Sequence, residues 1–155
     1  MINCIVVDDQ QEAIDVIVEH AKRIPQIVVT KTFTDSIEAL HFLESNKIDL
    51  VFLDVDMPNL NGIELIESYK AKIGSTSAKF IFTTGYPDYA ISGFEQGVIH
   101  YLLKPIVFKR LKEAVERFLE NTKNIQSNDA IGGNKDYFFV ESDGSKLKLI
   151  NRCII

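Results

Sequence analysis

The chain has 155 residues, 46% apolar and 25% charged, ordinary values for one globular domain, or one domain plus a fragment, and enough for a proper core. Its 17 basic and 22 acidic residues give a formal charge of −5, so it lacks the positive field that non-specific nucleic-acid binding or an anionic membrane surface requires. Two cysteines, Cys4 and Cys153, are too few for a disulfide framework and are not spaced as a CxxC metal site. No run approaches the ~18 apolar residues of a membrane span, and the apolar stretch Ile2 to Val7 is short and ends in two acids, unlike a signal peptide. A cytoplasmic protein without membrane contact is expected.

In chain order, Ile2 to Val7 predicts a first strand, and Ile14, Ile17, Val18 and Ala21 at helical spacing predict a helix after it. Ile27 to Phe33 predicts a second strand. Ile37, Leu40 and Leu43 mark a second helix, opened by Asp35 with Glu38 three residues on, the pattern of a capping box. Leu50 to Leu53 predicts a third strand; Asn61-Gly62 punctuates the loop before a helix carrying Leu65, Ile66, Tyr69 and Ile73. Phe80 to Thr83 is a fourth strand. The helix from Asp88 to Gln96 is the weakest, with few apolar positions and Gly93 within it and Gly97 just after. Tyr101 to Leu103 is a fifth strand, and Val107, Leu111, Ala114, Val115 and Phe118 stripe a last helix.

Continuous β-branched runs are the mark of strands buried on both faces. Their alternation with helices over short loops predicts an α/β class, a (βα)5 doubly wound parallel sheet with right-handed crossovers. The usual five-strand order is 2-1-3-4-5, with ligands bound at the carboxyl ends of the strands. After residue 122 the composition changes: residues 123–135 read as a linker, rich in Asn with Gly132-Gly133. Residues 136–155 read as a β-hairpin, its two runs flanking Ser142-Asp143-Gly144-Ser145. A lone hairpin is marginal, so it docks elsewhere, frays, or begins a further domain, and the last reading is favoured.

The acids fall where such a fold concentrates chemistry. Asp8 and Asp9 end the first strand and Asp54 ends the third, neighbours in the expected order. Like charges ~4 Å apart cost on the order of 4 kcal/mol at an effective dielectric near 20, so the cluster should raise a carboxyl pKa or recruit a cation. All-oxygen ligands favour Mg²⁺ or Mn²⁺. Each acid also has a plainer reading: Asp9 could cap the first helix with Glu12 three residues on, and Asp54 could be an ordinary loop acid. Thr84 and Lys104 close the fourth and fifth strands and add a hydroxyl and an ammonium. A carboxylate nucleophile, a metal site, a hydroxyl and a cation around one crevice are what phosphoryl transfer to an aspartate requires.

Over residues 1–122 these residues resemble the receiver domain of two-component response regulators, with its flavodoxin-like fold. The match consists of Asp8-Asp9, Asp54 in Leu50-Val51-Phe52-Leu53-Asp54-Val55-Asp56-Met57-Pro58 followed by Gly62, Thr83-Thr84-Gly85, and Lys104-Pro105. The resemblance implies Asp54 as phosphoacceptor from a sensor histidine kinase. It implies Mg²⁺ held by Asp8, Asp9, Asp54 and the backbone carbonyl of Asp56, with Asp8 acting through water. Thr84, preferred to Thr83 because it precedes the small Gly85, would be the switch hydroxyl; Tyr101 would move with it and Lys104 would contact the phosphoryl oxygens. Pro105 would follow a cis peptide, while Asp56 and Tyr86 would tune the lifetime of the acyl phosphate. The readout face would be the fourth helix, fifth strand and fifth helix, with Phe94, Phe108, Lys109 and Arg110 as candidate surface residues, and homodimerisation would follow phosphorylation.

Phe82 to Ala90, Tyr101 to Pro105 and Asp136 to Gly144 are most similar to receivers that precede LytTR-type DNA-binding domains. Residues 136–155 would be the truncated start of that output domain, so DNA would be bound only through a part not present here. The implied role is a signalling domain, not an enzyme, catalysing only its own phosphorylation and dephosphorylation. Two alternatives remain: a haloacid-dehalogenase-like phosphatase using Asp54 and Asp56, against which Pro58 and the upstream Asp8-Asp9 count, and a non-phosphorylated pseudo-receiver. His20, His41 and His100 have no ligand spacing.

Overall fold

The computed structural model describes residues 1–74, 78–86 and 98–127, with the strands Tyr137–Ser142 and Ser145–Asn151; past Thr122 it describes backbone alone. The described elements are β1 (Ile2–Val7), α1 (Gln11–Ala21), β2 (Ile27–Phe33), α2 (Ser36–Ser45), β3 (Leu50–Asp54), α3 (Gly62–Ile73), β4 (Lys79–Thr84), β5 (His100–Leu103) and a last helix, Phe108–Ser127. The first five strands are parallel and ordered β2-β1-β3-β4-β5, the expected arrangement. The helix expected at 88–96, and Phe94 with it, lies outside the described residues.

Side chains alternate across the strands, and this period of two sorts the apolar residues into two cores. Ile5, Val7, Val51, Leu53, Phe80, Phe82 and Tyr101 pack with Ala39 and Leu43 of α2 and Leu65, Ile66 and Tyr69 of α3. Cys4, Val6, Leu50, Phe52, Ile81 and Leu102 pack on the opposite face with Ile14 and Ile17 of α1 and Leu111, Ala114, Val115 and Phe118 of the last helix. Full burial of each such side chain contributes about 1.5–3 kcal/mol, which fixes the register of every strand against a one-residue slip.

The helical stripes hold except at their ends. Ile37, Ile73 and Val107 are 43%, 38% and 50% exposed, because they lie in the first turn of α2, at the last residue of α3 and before the last helix begins. The Asp35 carboxylate caps α2, accepting from the N–H groups of Ile37 and Glu38. The reciprocal capping box is at α3, where Asn61 accepts from Glu64 N–H at 2.8 Å and Glu64 accepts from Asn61 N–H at 3.2 Å. Asn61 with Glu64 three residues on carries the same sequence pattern as Asp35 with Glu38.

The last helix runs on to Ser127, through the start of the stretch read as a linker. β6 (Tyr137–Ser142) adds in parallel to β5, and β7 (Ser145–Asn151) pairs antiparallel with β6, so among the described residues the sheet has seven strands. At its other edge lies β2, on which Thr30, Lys31 and Thr32 are exposed. The Lys31 ammonium lies 5.2 Å from the Phe33 ring centre and 5.0 Å from that of Phe42. No helix among the described residues is long and apolar enough to cross a membrane.

Candidate functional site

Because β1 and β3 are hydrogen-bonded neighbours in parallel, their carboxyl ends place Asp8, Asp9 and Asp54 together. Their carboxylate oxygens lie within 4.8 Å of one another. Asp8 and Asp54 are buried and Asp9 is exposed. Gln10, not Asp9, takes the cap position of α1, and no side chain caps that helix, so the plainer reading of Asp9 as a helix cap is not what the structure has. Asp8 turns back on its own loop, its Oδ1 accepting from Gln10 N–H at 2.9 Å.

Lys104 reaches the cluster from the end of β5. Its Nζ is 2.8 Å from Asp8 Oδ2 and 3.6 Å from Asp54 Oδ1. The Lys104 backbone N–H donates to the Thr84 carbonyl at 2.7 Å, and the peptide to Pro105 is cis. Burial pushes the Asp54 carboxyl from 3.8 up to about 7, with repulsion from Asp8 and then Asp9 acting in the same sense. The Lys104 charge and the Asp56 N–H, which donates to Asp54 Oδ1 at 3.4 Å, oppose the rise without cancelling it. For Lys104, burial favours the neutral amine, but the hydrogen bond to Asp8 and the charges of Asp54 and Asp8 outweigh it and raise its pKa. One cation thus shares two buried carboxylates, an acid-rich balance that fits an added divalent cation with oxygen ligands.

Period two divides the crevice. Counting from Phe52, Ile81, Leu102 and Val6, the residues Asp54, Thr83, Lys104 and Asp8 continue the face covered by α1 and the last helix. Counting from Leu53, Phe82 and Leu103, Thr84 continues the face covered by α2 and α3. Thr84 is fully buried, and its Oγ1 accepts from Tyr86 N–H at 3.1 Å. Tyr101 is also fully buried, and its hydroxyl donates to the Tyr86 carbonyl at 2.5 Å. Thr84 and Tyr101 therefore both bind the backbone of one residue, Tyr86. The Tyr86 side chain is 57% exposed and Asp56 is exposed beside the acids.

Of the candidate surface residues, Phe108 is half-buried: the Arg23 guanidinium sits 3.8 Å from its ring centre and the His20 ring 5.8 Å away. His20 Nε2 is 3.1 Å from the Ile106 carbonyl, so α1 ties down the segment after Lys104. Lys109 is exposed and Arg110 is half-buried.

Gly62 matters to the site in a way the sequence does not disclose. A Cβ at this position would lie 2.6 Å from the Asp54 carbonyl oxygen and 3.0 Å from Val55 Cα. The Gly62 N–H meanwhile donates to the Val55 carbonyl at 2.9 Å. Only glycine lets α3 begin against the strand end that carries Asp54. Thr83 is the other residue passed over, and counting by two from Ile81 would have placed it on the Asp54 face.

The chain is 34% identical over 123 residues to a Vibrio cholerae response regulatory protein, an alignment covering 79% of this chain and 51% of that protein. It is 31% identical over 119 residues to the Escherichia coli transcriptional regulatory protein YpdB, covering 73% of this chain and 46% of YpdB. The chain spans about half the length of these curated relatives. The solved structure of the response regulator TrrA from Thermotoga maritima, in complex with Mg²⁺ and BeF, superposes with a TM-score of 0.66 at 29% identity, covering 76% of this chain and 99% of TrrA. Residues 4–116 match the response regulator receiver domain, the span that holds the acids, the buried threonines and Lys104. The chain belongs to the response regulator receiver domain family.

Proposed function

We propose that this chain is the phosphoacceptor half of a transcriptional regulator, phosphorylated on Asp54 by a sensor histidine kinase. The carrying observation is the buried Asp54 carboxylate, set between Asp8 and Asp9 and held 3.6 Å from the Lys104 ammonium. A carboxylate oxygen of Asp54 attacks the phosphorus of a phosphohistidine on the kinase; the P–N bond breaks, a P–O bond forms, and the imidazole leaves to take a proton from water. Asp8, Asp9, Asp54 and the Asp56 backbone carbonyl would hold Mg²⁺ or Mn²⁺, with Asp8 acting through water. Such a cation supplies neutralising charge to the transferring group. Lys104, positioned at the crevice rim, contacts the phosphoryl oxygens and offsets their charge.

The hydroxyl of Thr84 then leaves the Tyr86 N–H for a phosphoryl oxygen, and Tyr101 adjusts beside it. The surface equilibrium shifts by the difference in contact energy between the two states, and no more. The readout is the face around β5 and the last helix, where β6 pairs along the β5 edge, and it drives homodimerisation. Asp56 and Tyr86, exposed beside the crevice, tune how quickly water removes the phosphoryl group. Residues 136–155 are read as the opening hairpin of a LytTR-type output domain, through whose remainder DNA would be contacted; the similarity to YpdB over only 46% of its length supports an output part beyond the receiver.

Intact-mass spectrometry after incubation with acetyl phosphate and Mg²⁺ tests this reading. One alkali-labile phosphoryl adduct is expected, absent in Asp54→Asn and in EDTA. Wild-type protein that gains no adduct would favour a pseudo-receiver, and rapid release of phosphate with turnover would favour a phosphatase using Asp54 and Asp56.

A further inference from the structure

Thr83 is fully buried, and its Oγ1 has no hydrogen-bond partner among the described residues. It stands on the face otherwise lined by Ile81, Leu102 and Phe52, where valine has the same shape and would carry no polar atom. A buried hydroxyl without a partner is disfavoured, and native interiors leave few of them. Its Cα partner in the β4–β5 ladder is Leu102, apolar, and in the β3–β4 ladder it is Asp54, whose side chain leaves the sheet on the same side. On that face too, Asp8 and Lys104 end their strands.

In the state described, Asp54 Oδ1 is drawn toward Lys104 at 3.6 Å and Asp56 N–H at 3.4 Å, both long contacts. When Lys104 turns to an incoming phosphoryl group, Asp54 loses part of that support. We propose that Thr83 is a positioning residue for phosphoryl uptake, its hydroxyl donating a hydrogen bond to the Asp54 carboxyl group as Lys104 moves to the phosphoryl oxygens. This inference rests on Asp54 being the phosphoacceptor. It assigns the two adjacent threonines different work: Thr84 reports the phosphoryl group on the α2–α3 face, and Thr83 aims the acceptor on the other.

The test compares Thr83→Val and Thr83→Ser with wild type in the full chain, by thermal melting without metal and by the rate of adduct formation with acetyl phosphate and Mg²⁺. Replacing an unpartnered hydroxyl by a methyl of the same shape removes its desolvation cost, so Thr83→Val should melt a few degrees higher. Losing one hydrogen bond to the acceptor should slow its phosphorylation about tenfold. Thr83→Ser should restore the rate. A purely structural role gives no such opposition, since the more stable variant would react at least as fast. Equal rates for Thr83→Val and wild type would overturn the inference, as would Thr83→Ser being as slow as Thr83→Val. Wild type that takes up no phosphoryl group would overturn the phosphoacceptor reading and this inference with it; wild type that does so while Thr83→Val keeps pace overturns the role of Thr83 alone.

Discussion

The crevice has a charged half and a neutral half, and they are built differently. Asp8, Asp54 and Lys104 lie on the α1 side, held by charge with few fixed hydrogen bonds: one ammonium at 2.8 and 3.6 Å serves two buried carboxylates. Thr84 and Tyr101, on the α2–α3 side, are neutral and bound at 3.1 and 2.5 Å to the two ends of one residue's backbone, Tyr86. One half is short of positive charge and so responds to an ion or a phosphoryl group. The other is satisfied as it stands and changes only when its hydrogen bonds are traded. A single residue step along β4, from Thr83 to Thr84, crosses from one to the other.

The largest blow to the charged half is Lys104→Met, which leaves two buried acids facing each other. Breaking such a pair costs about 3 kcal/mol, so metal-free protein should melt well below wild type, and uptake of the phosphoryl group should slow about a hundredfold. Melting curves and time-resolved mass spectra check both.

Next comes Asp54→Asn without metal. The unfolded carboxyl ionises near 3.8, while the folded one keeps its proton to about 7, so between these values stability falls as pH rises. The substitution should stabilise the protein above pH 7, by about 2 to 4 kcal/mol. That gain shrinks to nothing below pH 4, and Mg²⁺ abolishes it at neutral pH by raising the wild type. A gain independent of pH would mean that the Asp54 charge is not its source.

Gly62→Ala acts on the shared frame. With a Cβ 2.6 Å from the Asp54 carbonyl oxygen, the start of α3 must shift, at a cost of about 2 kcal/mol and several degrees of melting temperature. The smallest effect is expected on the neutral half. Tyr101→Phe loses one hydroxyl contact, about 1 kcal/mol, and should leave phosphorylation near wild type while weakening any phosphorylation-dependent dimerisation in sedimentation with beryllofluoride.

The fold was legible because its strands are buried on both faces: runs such as Leu50–Leu53 admit little else, and their ends expose Asp54 and Lys104 as acids and bases after apolar stretches. Thr84 was legible as a strand-ending hydroxyl. What stayed hidden depends on three-dimensional approach. Gly62 looks like loop punctuation until α3 is seen against Asp54, and nothing in the sequence names Arg23 as the group that lies over Phe108. Asp9 was legible as one of the site's acids; the plainer alternative, a helix cap with Glu12, is excluded because Gln10 takes the cap position. The tail was legible as a hairpin, but its docking beside β5 was not, since neither strand's own pattern names a neighbour.

The exposed edge at β2 bears on how the protein behaves at high concentration. An unpaired strand edge is a template on which further copies can stack, and a cation along it makes each addition bring like charges together. Lys31, lodged over Phe33 and Phe42, is kept on that edge by its own aromatic neighbours. Neutralising it would remove one of the charges that discourage edge-to-edge pairing on this side of the sheet.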